Sequence, residues 1–154
     1  MIVSDRPLFQ PSPAEREQVL EAIRQALEAR PDVLFAYVHG SFLEDRPAHD
    51  VDVAVYLAPG TGEHDTMVAP AMAPAVAAAL AADLEKAIRP VYYLPVDVRL
   101  LNEAPTAFRY HAFRGRLLFS RDEEVRSAMV ERTVAIYLDR KPLLDQALKE
   151  AMTA

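Results

Sequence analysis

The chain has no cysteine among its 154 residues. Disulfides and thiolate metal sites are therefore excluded. Any metal must be held by oxygen or imidazole, a donor set that favours Mg²⁺, Mn²⁺ or Ca²⁺. No run of lysine and arginine is present either, and 17 basic residues stand against 23 acidic ones, a formal charge of −6. That balance disfavours nonspecific binding to nucleic acid or to an anionic membrane. Long apolar runs are missing as well. Residues 1–12 lack the apolar centre of a signal peptide. The alanine-rich stretch 68–82 is broken by Pro70 and Pro74 and is too weakly apolar to span a bilayer. A cytoplasmic protein with no membrane association is the resulting expectation.

What remains is ordinary globular composition, 51% hydrophobic and 26% charged. Neither an internal repeat nor a low-complexity linker divides the chain. One domain over residues 1–154 is expected, with its core at about 12–120 and a C-terminal helical segment at about 121–152.

Several elements are legible from local pattern. Ser12-Pro13-Ala14-Glu15 offers an N-cap serine, a proline at the first helical position and a glutamate at the third. Val19, Leu20, Ile23, Ala26 and Leu27 follow at helical spacing, and Pro31 ends that helix near Arg30. Residues 33–39 form a β-branched and aromatic run that stops at Gly40, a buried strand. Residues 50–57 alternate strictly, with Asp50, Asp52, Ala54 and Tyr56 on one side and Val51, Val53, Val55 and Leu57 on the other, which predicts a half-buried strand. A loop is expected over 59–65, then a helix over about 74–88, with Val76, Leu80, Leu84 and Ile88 spaced by four. Residues 96–101 read as a third strand and 117–119 as a short fourth. Between them a short helix runs from Pro105 to Gly115. Ser120-Arg121-Asp122-Glu123 reads as a second capping box opening a final helix, which Pro142 must kink or interrupt. The pattern is α/β (α+β), a small mixed sheet of three to four strands flanked by helices.

The chemistry concentrates around Gly40–Asp52. A strand ends in Gly40-Ser41, a turn follows, and the chain re-enters as a strand at Asp50-Val51-Asp52. Glycine lets a phosphate approach the backbone closely, and the serine hydroxyl with the amides of the turn supplies donors. Asp50 and Asp52, two apart on a strand, point the same way. Two such carboxylates repel unless a cation sits between them or one is protonated. Asp97 lies among the valines of a later strand, where a lone acid seldom serves packing. Strand pairing would bring it to the other two. Three carboxylates plus phosphate oxygens suit Mg²⁺. Arg99 shares the face of Asp97 and is a candidate for phosphate contact or for a structural ion pair. Glu44 and Asp45 add negative charge to the turn, tolerable beside a triphosphate only where they face solvent. His39 and His49 fit hydrogen-bonded roles better than Mg²⁺ ligation, and Tyr92, Tyr93, Phe108, Tyr110, Phe113 and Tyr137 fit core, rim or partner packing.

Gly40-Ser41 followed by Asp50-Val51-Asp52, with Asp97 on a later strand, resembles the minimal nucleotidyltransferases of the DNA polymerase β-like superfamily. Leu101-Asn102-Glu103-Ala104-Pro105, Gly115-Arg116-Leu117-Leu118-Phe119, Arg121-Asp122 and Tyr137-Leu138-Asp139 are similar to segments of the MntA antitoxins. The resemblance implies a palm-like fold, Mg²⁺ (or Mn²⁺) on Asp50, Asp52 and Asp97, and ATP held by Gly40, Ser41 and Arg99. It further implies transfer of AMP to a tyrosine of a HEPN-domain ribonuclease toxin and a hetero-oligomer with that partner. Two other readings stand beside it. One is a weak or inactive relative that neutralises its partner by contact alone; the other is an enzyme acting on a small-molecule hydroxyl.

Overall fold

The computed structural model describes residues 5–59 and 70–153. Its first helix, α1 (Pro13–Glu28), begins at the capping box read from the sequence: Ser12 Oγ accepts from the Glu15 amide (3.1 Å) and Glu15 Oε1 accepts from the Ser12 amide (2.9 Å). Its apolar stripe, Val19, Leu20, Ile23 and Leu27, is buried. The chain then runs through β1 (Val33–His39), a single 3₁₀ turn (Ser41–Leu43) and β2 (Val51–Leu57). After a short 3₁₀ segment come α2 (Ala73–Ile88), β3 (Val96–Leu100), α3 (Thr106–Phe113), β4 (Arg116–Ser120) and α4 (Glu123–Thr153). Beyond Pro59, the loop expected over 59–65 lies outside the described residues.

The four strands form one mixed sheet in the order β3-β2-β1-β4. β1 runs antiparallel to both β2 and β4, whereas β2 and β3 are parallel. A parallel pair cannot be joined by a hairpin, and α2 provides the crossover. The alternation of β2 divides the molecule into layers. Val51, Val53, Val55 and Leu57 pack with α1 and with Leu80, Leu84 and Ile88 of α2. Each of those α2 side chains contributes about 1.5–3 kcal/mol by leaving water. On the other face Phe35, Tyr37 and Ala54 pack with Leu101, Phe108 and Ala112, and with Val125 and Met129 of α4. Tyr110 and Tyr137 stack at 3.8 Å between centroids, joining α3 to α4. No helix among the described residues is long and apolar enough to cross a membrane.

One local reading needs correction, and one of two alternatives at Pro142 is removed. The N-cap of α4 is Asp122, whose Oδ1 accepts from the Val125 amide at 3.1 Å. Ser120 is instead the last residue of β4, paired with Phe35. Strand pairing claims that residue before the helix can begin. Pro142 does not interrupt α4, which is continuous across it. Proline in a helix forfeits one hydrogen bond and costs about 3 kcal/mol. Here Leu138 and Leu143 are exposed, so water can serve the carbonyl that proline leaves unpaired.

Candidate active site

Strand register gathers the candidate residues at one end of the sheet. His39 of β1 pairs with Asp52 of β2, and Asp52 pairs with Asp97 of β3. Neighbouring strands lie about 4.8 Å apart, so these three side chains form a row across the sheet. The next row on the same face is Tyr37, Ala54 and Arg99. That face is covered by α3 and α4 over the aromatic rows and is open at the acidic one. Phe108 of α3 marks the boundary. Its ring lies under the Arg99 guanidinium at 3.8 Å and against the His39 ring at 5.4 Å. Asp50 stands just before β2, with its oxygen Oδ2 2.6 Å from Arg6 Nη2.

Gly40 closes the arrangement. Its φ of 84° is left-handed, and its ψ of −164° places it where side-chain-bearing residues are strained. A Cβ there would stand 2.6 Å from Asp52 Oδ2. The glycine is thus required twice, by its backbone angle and by the carboxylate against it. Ser41 opens the turn that follows, in which Leu43 N donates to Gly40 O (3.2 Å) and Glu44 N to Ser41 O (3.0 Å). Gly115, in the α3–β4 turn, permits a second close approach. A Cβ on it would meet Val38 O at 2.2 Å and His39 Cα at 3.0 Å.

The electrostatics follow from the crowding. Burial, with Asp50 and Asp97 nearby, pushes the Asp52 carboxyl up to about 6, and the charge of Arg6 partly opposes this. Burial and the Arg99 guanidinium lower the His39 pKa, with the charges of Asp97 and Asp50 opposing them. Among the described residues, no three His, Asp or Glu side chains close into a metal cage. An open, all-oxygen donor set nevertheless fits Mg²⁺, which takes one or two carboxylates and fills its shell with water and phosphate oxygens. A raised Asp52 beside two further acids also marks a place where a cation is electrostatically favourable.

The acidic turn does not face the site with naked charge. Glu44 and Asp45 are exposed and ion-paired, Glu44 to Arg46 and Asp45 to Arg16 at 3.7 Å. Arg16 itself is buried, donates to the Glu44 carbonyl and lies over the Phe42 ring at 5.7 Å. His49 Nδ1 donates to the Pro7 carbonyl at 3.0 Å. Tyr92 is part of the core margin, and its hydroxyl accepts from the Gln10 amide at 3.2 Å. Beside the open edge of β3 lies a cavity of about 590 Å³ between α2 and the 102–105 segment, lined by Ala77, Ala81, Asp97, Arg99 and Glu103 among others. Arg6, Arg16 and Phe108 were not legible as site neighbours, because Arg6–Asp50, Arg16–Glu44 and Phe108–His39 join residues far apart in the chain.

A family model described as polymerase beta nucleotidyltransferase matches residues 21–124. The chain belongs to that family. Its mixed sheet, flanking helices and C-terminal helix are the palm fold of these nucleotidyltransferases. Solved structures align over most of the chain. One is a toxin–antitoxin with AMP-PNP, 18% identical, TM-score 0.58, covering 84% of this chain and 98% of that one. A second is a tri-AMPylated HEPN toxin of Shewanella oneidensis in complex with MNT antitoxin, 17% identical, TM-score 0.54, covering 88% and 97%. A third is the MntA–HepT toxin–antitoxin, 16% identical, TM-score 0.54, covering 89% and 99%. At such identities these likenesses establish the nucleotidyltransferase fold alone. No curated protein sequence matches the chain.

Proposed function

We propose that this nucleotidyltransferase moves AMP from ATP onto a tyrosine hydroxyl of a HEPN-domain ribonuclease toxin, with which it forms a hetero-oligomer in the cytoplasm. The observation that carries the reading is the packing of Gly40 against Asp52 in a row that also holds Asp97. That packing supports reading the Gly40-Ser41 turn and the acids as one site. Likeness to solved toxin–antitoxin structures supports the choice of partner.

Asp50 and Asp52 would hold Mg²⁺ or Mn²⁺, and Asp97 would complete a second metal position or accept a proton. Bound metal supplies charge neutralisation for the pyrophosphate leaving group. Gly40 lets the backbone and the Asp52 carboxylate come together, so the Ser41 turn would lie beside the acids, where the Ser41 hydroxyl would donate to a phosphate oxygen. Arg99, held on Phe108, presents its positive charge beside Asp97 and to the cavity along β3. The acceptor oxygen attacks the α-phosphorus, and a new P–O bond forms. The bond to the bridging oxygen breaks, and pyrophosphate leaves with that electron pair. In its proton-accepting role the Asp97 carboxylate would take the hydroxyl proton. A tyrosine hydroxyl has a pKa of about 10, so this assistance matters near neutrality.

Neutralisation by contact alone has one observation in its favour, the Arg6 guanidinium already seated on Asp50. Incubation with ATP, Mg²⁺ and the co-expressed partner separates the two. Transfer gives AMP increments in the mass of the partner, whereas contact alone gives a complex of unchanged masses. A small-molecule acceptor would label neither protein while still consuming ATP in its presence.

A further inference from the structure

The segment before α1 is fastened beside the site by bonds that lie next to Arg6–Asp50. Phe9 and Ala48 exchange two backbone hydrogen bonds (2.8 and 2.9 Å), His49 Nδ1 donates to Pro7 O (3.0 Å), and Gln10 N donates to Tyr92 Oη (3.2 Å). Residues 7–10 are thereby laid along Ala48-His49, and Arg6 arrives at the next residue, Asp50. Its Nη2 lies 2.6 Å from Asp50 Oδ2. The pair is asymmetric: the Arg6 side chain is 60% exposed and that of Asp50 only 20%. The carboxylate is thus the more buried partner, and the guanidinium sits at the rim of the site. The Arg6 charge also reaches Asp52, opposing the repulsion from Asp50 and Asp97.

We infer that Arg6 is a built-in cation of the acidic site, occupying Asp50 in the metal-free protein and giving way when a divalent ion takes that carboxylate. The inference rests on the metal-site reading above. Its physical basis is competition: three acids gathered at one sheet end need positive charge, and two cations cannot share one carboxylate oxygen at full strength. Arg6 is a positioning residue here, acting on the metal through Asp50.

The test is Mn²⁺ binding to the full chain without nucleotide, followed by the loss of the free-ion paramagnetic resonance signal. Arg6→Met is expected to bind Mn²⁺ about two- to fivefold more tightly than wild type, the range for loss of one part-exposed ion pair. Arg6→Lys, which keeps the charge, is expected to stay near wild type. The Mn²⁺-induced rise in melting temperature is expected to be larger in Arg6→Met, and Arg6→Gln is a second neutral variant should the methionine form fold poorly. Equal or weaker Mn²⁺ binding by the neutral variants, with wild type binding normally, would overturn the role of Arg6 alone. Absence of Mn²⁺ binding by every form, at millimolar concentration, would remove the metal site and the inference with it.

Discussion

Asp52 carries two burdens at once: it is the central acid of its row, and its carboxylate lies where a side chain on Gly40 would be. Its raised pKa has a definite consequence for stability. The folded value of about 6 exceeds the ordinary 3.8, so the folded protein binds more protons than the unfolded chain between those limits. The Asp52 contribution to stability in the metal-free protein is therefore expected to fall as pH rises from about 4 to about 6 and to level off above. Asp52→Asn should flatten that segment of the melting-temperature profile, and Mg²⁺ should lessen it by stabilising the charged form. A wild-type profile that runs parallel to that of Asp52→Asn across the same interval would count against the assigned crowding. Gly40→Ala tests the same contact from the other side. With φ at 84° and a Cβ 2.6 Å from Asp52 Oδ2, the variant is expected to lose about 1–3 kcal/mol in denaturant melts. Nucleotide binding should fall with it.

Among the elements, β3 brings Asp97 to its place, and the segment after β3 holds the strand there. Asn102 uses both ends of its amide on Leu57 at the end of β2, accepting from Leu57 N (3.0 Å) and donating to Leu57 O (2.8 Å). Arg109 of α3 donates to the Leu101 and Asn102 carbonyls at 2.8 and 2.6 Å. The Leu101-Asn102-Glu103-Ala104-Pro105 signature, read from resemblance, thus acts as a clamp between parallel strands. Asn102→Ala leaves two partly buried backbone groups unpaired and is expected to cost about 1–3 kcal/mol, seen in urea unfolding. Arg121 plays a comparable part at α1, donating to the carbonyls of Glu28 (2.6 Å), Arg30 (3.3 Å) and Val33 (3.0 Å). Local pattern served well where the cause is local. The α1 cap, the valine alternation of β2 and the four-residue spacing in α2 all act within a few residues. It failed at the α4 cap because strand pairing with Phe35, 85 residues away, decides the fate of Ser120.

At the scale of the whole molecule, the sheet separates stability from chemistry. One face is sealed by α1 and α2, and the other is covered by α3 and α4 but left open at the row His39–Asp52–Asp97 and at exposed Arg99. The acids were legible in the sequence because each departs from its surroundings: Asp97 among valines, Asp50 and Asp52 in strict alternation. The cations around them were not, since Arg6 reaches Asp50 and Arg16 reaches Asp45 only through the fold. The last stretch of α4 takes no part in that core. Leu143, Leu144, Leu148 and Met152 are all well exposed. Ending the chain after Lys141 is therefore expected to change unfolding free energy by no more than about 0.5 kcal/mol. A larger loss would place this stretch in the fold after all.

The central claim is that the row at the end of the sheet transfers AMP. Its most direct measurement is the intact mass of the co-expressed HEPN partner after incubation with ATP, Mg²⁺ and this protein, wild type or Asp97→Asn. The expected result is AMP increments on a partner tyrosine with wild type and a rate at least about 100-fold lower with Asp97→Asn. No increment with wild type, or an unchanged rate with Asp97→Asn, would contradict it.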